Sequence, residues 1–227
     1  MALFSKSPFL LVMAMRLQRK LRRWHRWLAI VTAVQLLAWT LSGIYFAFID
    51  IDFVRGAQHR EAPLPTAIDL SSANWVASEA TEVLIRHRLP QEVVVGVVGT
   101  DETRWYRPNG EPLPALTEVE ALKLAGIKTD LRADQAVLIR DAVTGSEYRG
   151  RALPLWQVFN EDNPDTVAYI DPKSGDVTAI RNTAWRWWDF LWSLHIMDYD
   201  DRDTIGTLLL KLLSVLALLT AVGGIAV

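Results

Sequence analysis

The sequence predicts an α+β domain carried between two transmembrane helices, with an interfacial aromatic helix between the domain and the second span. Three observations carry this. Two apolar runs lie far apart in a chain of 227 residues. Tryptophans cluster beside both runs, as they do at membrane–water interfaces. The stretch between the runs alternates turn residues with short β-branched segments and two helical patterns.

The first span is Leu28 to Ile49, LAIVTAVQLLAWTLSGIYFAFI, without a charge and long enough for a bilayer core of ~30 Å. The second is Ile205 to Val227, with Lys211 near its start, where a lysine can snorkel to the interface. Trp24 and Trp27 precede the first span; Trp185, Trp187, Trp188 and Trp192 precede the second. Arg16, Arg19, Lys20, Arg22, Arg23 and Arg26 crowd one side of the first span, and Asp50 and Asp52 open the other. The positive-inside rule then puts residues 1–27 and the C-terminus in the cytoplasm and residues 50–204 outside. The run FLLVMAM, Phe9 to Met15, is too short to span, and no cleavage site follows the basic cluster. Met1, Met13 and Met15 are all candidate starts. The second span reaches Val227 without a basic anchor, so either the chain continues or a neighbour covers this end.

Within residues 50–184, Ser71 to Arg88 reads as a helix: Trp75, Ala80, Val83, Leu84 and His87 recur near helical spacing, and Pro90 follows. Val93 to Gly99 and Thr103 to Tyr106 read as strands about a turn at 100–102. A second helix, Thr117 to Ala125, has Thr117 as cap, Glu118 and Glu120 in its first turn, and Gly126 as its end. Three strands close the domain: Leu155 to Asn160, Thr166 to Ile170 and Asp176 to Arg181. The exposed edge of this meander could accept an added peptide strand.

Net charge of −2 gives no reason to expect a nucleic-acid partner. With no cysteine, disulfides, thiolate-held iron–sulfur clusters and thiol nucleophiles are excluded. No Gly-rich phosphate loop, HExxH or nucleophile elbow is present. If electrons move here, a separate reductase delivers them. Asn160 to Asp165 lacks the glycine and distal glutamate of a calcium loop and reads as a hairpin turn. Asp198 to Asp203 reads as a polar stop, with Asp203 or Thr204 capping the second span.

The histidines are the candidate cofactor residues. At 100° per residue His25 shares a face with Thr32, Leu36, Trp39 and Gly43, with Gln35 and Ser42 beside it. Small and polar residues on a membrane helix pack against another helix. His25 therefore reads either as a head-group histidine or as a haem ligand. In the interfacial helix, residues 185–199, the residues Trp188, Trp192, His195 and Tyr199 recur at i, i+4, i+7 and i+11 and share one stripe. That stripe fits an aromatic belt or the edge of a haem. The two histidines lie near opposite membrane faces and cannot hold one iron. His87 reads as a core histidine. No metal site is expected.

The closing unit LPLWQVFNEDNPDTVAYIDPKSGDVTAIRN resembles the C-terminal half of a PepSY domain. LRRWHRWLAIV…SGIYF, Leu21 to Phe46, resembles the first helix of the PepSY-associated transmembrane family. WDFLWSLHIMDYDDRD, Trp188 to Asp203, is similar to that family's post-domain segment. The resemblance implies a bacterial inner-membrane protein with a periplasmic PepSY-like domain. Some members resemble ferric-siderophore reductases, in which transmembrane histidines hold b-type haems. Those have four or more spans; two are counted here. The expectation is an accessory subunit of a larger membrane assembly, a redox one, with His25 and His195 as ligands of haem b. It is not expected to be an enzyme on its own. The alternatives are a homodimeric haem protein resembling the ferric reductases and a membrane-anchored module that binds peptides or proteases.

Overall fold

A computed structural model describes residues 8–62, 67–69, 71, 73, 80–100 and 102–226. The chain divides into two compact units: residues 49–187, and a unit made of residues 1–48 with 188–227.

The helical unit is built on α1 (Pro8–Phe48) and α5 (Leu208–Ala226). α1 extends well before the predicted span. Gln18–Phe48 and Leu208–Ile225 are long and apolar enough to cross a membrane, and almost none of their apolar surface is covered. A core helix of a soluble domain would be covered; these turn Val34, Leu37, Leu41, Leu212, Leu218 and Leu219 outward.

The two helices pack against each other, and their half-buried positions repeat every 3.5 residues. On α1 these are His25, Thr32, Trp39 and Phe46, with Leu28, Gln35 and Ser42 between them; on α5 they are Leu210, Leu213, Ala217, Thr220 and Gly223. A 3.5 repeat is the signature of a left-handed supercoiled pair. It corrects the face projected at 100° per residue. Leu36 is 48% exposed, and a Cβ on Gly43 would meet nothing within 4 Å, whereas Thr32 and Ser42 are buried. A straight projection drifts ~20° per heptad, so between His25 and Gly43 the seam shifts by about 50°, half the step between neighbouring residues, and Ser42 comes to share it with half-buried Gly43. Thr207, not Asp203 or Thr204, caps α5: its hydroxyl accepts from the Leu210 N–H at 3.2 Å.

The α+β unit opens with α2 (Ile51–Val54), capped by the Asp50 carboxylate. Its first sheet holds β1 (Glu82–Leu89), β2 (Glu92–Val98) and β3 (Thr103–Tyr106) in that order, all antiparallel. β1 corrects the predicted helix over Ser71 to Arg88; the residues before Ala80 lie largely outside the described residues. Val83 and Ile85 are β-branched, and Gln91 takes a left-handed φ of 72° after Pro90. That tight turn lets EVLIRHRL pair along EVVVGVV, and the pairing outweighs the local 3.6 spacing. His87 therefore sits on a strand. Both of its ring nitrogens are buried without a partner among the described residues.

The second sheet runs β4 (Gln135–Ile139), β5 (Leu155–Phe159), β6 (Val167–Ile170) and β7 (Val177–Arg181), antiparallel throughout. Helix α3 (Glu118–Lys128) covers one face. Thr117 is the cap, as expected, and forms a capping box with Glu120, but the helix runs through Gly126 to Lys128. A lone helical glycine costs about 1 kcal/mol relative to alanine, too little to end a helix held by Leu124 and Ala125 in the core. Leu124, Val158, Ala168, Ile170 and Ile180 form the core under α3; Tyr148, Leu155, Val167, Tyr169 and Ala179 fill the opposite face. β4 was missed from the sequence, and it covers the β5 edge of the meander, leaving β7 as the meander's outer strand.

Candidate functional site

Helix α4 (Thr183–Ile196) realises the predicted aromatic helix, with its boundaries moved. Its first turn belongs to the α+β unit. There Asn182 accepts from the Trp185 N–H at 2.7 Å, and the Arg181 guanidinium lies 4.3 Å from the Trp185 ring. Burial, and after it the Arg151 charge, pull the Arg181 pKa down to about 10, so it remains a cation at neutral pH.

From Trp188 onward, α4 belongs to the helical unit and packs on α1. Trp188 and Trp192 stack, with centroids 5.2 Å apart and planes 12° from parallel. Trp192 and His195 are parallel within 6°. Phe46 lies 5.5 Å from Trp188, 6.2 Å from Trp192 and 5.8 Å from His195; Trp39 lies 6.0 Å from His195. The His195 imidazole thus sits among Trp39, Phe46 and Trp192. Tyr199 does not join this stripe: α4 ends at Ile196, Met197 turns into the left-handed region, and Tyr199 is 55% exposed.

Two hydrogen bonds tie α4 to α1 at this point. The Trp39 indole N–H donates to the His195 carbonyl at 2.8 Å. That carbonyl is in the last turn and has no intrahelical partner, so the indole supplies one. The Ser42 hydroxyl lies 2.8 Å from His195 Nδ1 and donates to the Trp39 carbonyl at 3.0 Å. A hydroxyl has one proton to give. With that proton on the Trp39 carbonyl, Oγ accepts from Nδ1–H. His195 is then the tautomer whose lone pair is on Nε2, the form that ligates metals while its other nitrogen is held by a second partner.

His25 is in different surroundings. Its ring lies against α5 at Gly223 and Gly224, where an added Cβ would stand 3.3 Å from its Cε1. The space left by the glycines is filled by the imidazole itself. Ser42 is 17 residues further along α1, about 25 Å away. Gln35, between them on the seam, carries a buried amide nitrogen without a partner among the described residues.

Sequence reasoning missed Phe46 and the pairing of Ser42 with His195. Phe46 follows Trp39 by seven residues, so a heptad reading of α1 would have found it. The Ser42 contact spans 153 residues and has no local signal.

A family model described as the PepSY-associated TM region matches residues 22–227. The chain belongs to this family. The match takes in both spans, His25, the α+β unit and His195, and it bears out the resemblance carried by LRRWHRW and WDFLWSLH. With the two apolar helices it makes this a membrane protein. No curated protein and no solved structure matches the chain.

In this PepSY-associated protein the loop after α4 is ordered by one carboxylate. Asp198 accepts from the backbone N–H groups of Thr204 at 2.9 Å and Asp203 at 3.1 Å. Those donors, Thr204 first, hold its pKa below the ordinary carboxylate value. A depressed carboxylate contributes stability that is complete above the unfolded pKa of ~3.9 and is lost as pH falls through the folded value. Hydrogen exchange should therefore find the Asp203 and Thr204 amides protected from neutral pH down through about 4, and released only once pH falls below the ordinary carboxylate value of ~3.9. Asp198→Ala should release them at every pH.

A cleft of about 460 Å³ opens in the α+β unit, lined by His59, Asp130, Arg132, Asn160, Asn163 and Thr166 among others. His59 Nδ1 lies 3.0 Å from the Asp130 carboxylate. The Asn160 to Asp165 segment is the β5–β6 turn, as expected. Among the described residues no group of three or more metal-ligating side chains is assembled.

Proposed function

We propose that the protein is a subunit of a larger membrane assembly with an electron-transfer role. In this reading His195 would be the residue of this chain that holds a b-type haem. The observation that carries it is the 2.8 Å contact of the Ser42 hydroxyl with His195 Nδ1, which, with the hydroxyl proton on the Trp39 carbonyl, would leave Nε2 with the lone pair while Trp39, Phe46 and Trp192 frame the ring. A haem iron needs an imidazole held in this way and an apolar surround that sets its potential. When bound, the haem would supply one-electron transfer. This chain's own part is to fix the imidazole, exclude water and present the ring edge.

The fit covers one axial position. A second imidazole must come from a partner subunit or a second copy. His25 stays outside this reading because its ring is packed on Gly223 and Gly224. The basic side of α1 supports a cytoplasmic N-terminus, which puts residues 50–204, a PepSY-like domain in this reading, in the periplasm.

The test is a dithionite-reduced minus oxidised spectrum of the full chain purified in detergent, with the co-purifying proteins identified. A b-type α-band that disappears in His195→Ala and survives in His25→Ala supports the proposal. A colourless wild type, or colour that survives His195→Ala, overturns it. A second reading makes the α+β unit a binding module, and the cleft beside the His59–Asp130 pair favours it. It expects ligand binding that His59→Ala weakens and His195→Ala leaves unchanged.

A further inference from the structure

The basic end of α1 has more charge than orienting a span needs. Arg16, Arg19, Lys20, Arg22, Arg23 and Arg26 are all exposed on one unbroken helix. The first 49 residues contain no Asp or Glu, so the segment has no acidic neighbour of its own. Spacing makes this worse. Arg16 and Lys20, Arg19 and Arg23, and Arg22 and Arg26 are three pairs at i, i+4, where side chains meet and like charges repel. At 100° per residue the six cations occupy an arc of about 160°. The rest of the circumference holds Met13, Leu21 and Trp24, exposed at 59%, 50% and 68%. A helix that shows bare cations on one side and bare apolar rings on the other has the pattern of a membrane surface.

We propose that Arg16 to Arg26 of α1 is a collar that binds the phosphates of anionic phospholipids. Each i, i+4 pair presents two donors to one phosphodiester, which removes the repulsion within the pair. Guanidinium forks suit this geometry, and five of the six cations are arginines. The level is set by the chain itself. Trp24 and Trp27, exposed at 68% and 62%, mark the interface just before the span. Arg22, Arg23 and Arg26 lie within one turn of them. Arg16, Arg19 and Lys20 lie one to two turns further out, within a Debye length of a charged leaflet. A nucleic acid or an acidic protein would match the charge but not the flanking tryptophans or the continuity with the span. The inference does not depend on haem.

The experiment reconstitutes the full chain in phosphatidylcholine vesicles with about 20 mol% phosphatidylglycerol. Spin-labelled phosphatidylglycerol and spin-labelled phosphatidylcholine then report which lipid is held at the protein surface. The expected result is a preference for the anionic label of about threefold or more, with each lysine or arginine near the surface adding to the attraction. High salt should reduce it towards unity in the wild type. Arg19→Gln, Arg22→Gln, Arg23→Gln and Arg26→Gln combined should abolish it. Should that variant fail to insert, the four corresponding Arg→Lys changes keep the charge and should weaken the preference without abolishing it. No preference in the wild type, a preference insensitive to salt, or one unchanged in the glutamine variant overturns the proposal. So does full competition by inorganic phosphate, which would mark a free-anion site, or by a short RNA.

Discussion

Arg88→Ala is expected to destabilise the α+β unit by about 3–5 kcal/mol, the range for removing one partner of a buried ion pair. Arg88 is 2% exposed on β1. Its Nε and one terminal nitrogen each donate to a Glu92 oxygen at 2.7 Å, and its other terminal nitrogen donates to the Pro114 carbonyl at 2.7 Å. Its stem crosses to the second sheet, where a Cβ on Gly175 would stand 2.8 Å from Arg88 Cγ and 3.0 Å from Leu124 Cδ1. One side chain thus joins the three-stranded sheet, the turn before β7 and the underside of α3. Truncation would leave Glu92 without its fork, a carbonyl without its donor and a hole against Leu124. For a unit of this size the loss should lower the melting temperature by roughly 10 °C. Circular dichroism of the full chain in detergent checks this. Arg88→Met with Glu92→Leu should recover most of the loss, because it removes both charges and refills the space. Coupling to Gly175 is a sharper check. Gly175 has φ +70°, so Gly175→Ala carries a backbone cost as well as the clash with Arg88. In an Arg88→Ala background the contact with Cγ is removed while the one with Leu124 remains, and the double variant should cost less than the sum of the two single ones.

That joint also shows where sequence reading stops. β2, β3, β5, β6 and β7 were legible because β-branched residues alternate between turn residues, and α3 was legible from its Thr117 cap and the acids of its first turn. β1 was not. Val83, Leu84 and His87 satisfy a helical spacing as well as a strand, and what decides between them is pairing with β2 across a turn made by Pro90 and Gln91. β4 is five residues long, and its partner β5 starts 16 residues after it ends, too far for any hairpin signal. The membrane spans were legible from length alone. The seam between them was legible only in part. A straight-helix projection found His25, Thr32 and Trp39, with Gln35 and Ser42 beside them, but also placed Leu36 on the face, where it is 48% exposed. The period of the seam depends on the partner helix, so a single helix read by itself does not contain it. His195 was singled out for the right reason, its place on an aromatic stripe, but nothing near it in sequence names Ser42.

Ser42 is accordingly the residue whose loss should say most about the site. Ser42→Val puts two methyl groups in place of the hydroxyl and removes the only hydroxyl at His195 Nδ1 among the described residues. If His195 holds a haem, losing the partner on its other nitrogen should cost about 10–100-fold in affinity, with a shift of midpoint potential in whatever haem remains. Ser42→Thr keeps the hydroxyl and should stay close to wild type. Trp39→Phe should behave differently again. It removes the cap on the His195 carbonyl, costs about 0.5–1.5 kcal/mol at the end of α4, and leaves the tautomer alone. The tautomer can be read without any cofactor. In haem-free protein with ¹⁵N-labelled histidine, Nδ1 should carry the proton and Nε2 the lone pair. Ser42→Val should yield a mixture of the two forms. Should Nε2 carry the proton in the wild type, the Ser42 hydroxyl donates to Nδ1 and the ring presents a donor to the pocket. That result would remove the argument for His195 as a ligand while leaving its packing among Trp39, Phe46 and Trp192 intact. One hydroxyl proton, shared between a carbonyl and an imidazole, therefore decides whether the aromatic cluster holds a metal ligand or only a well-packed ring.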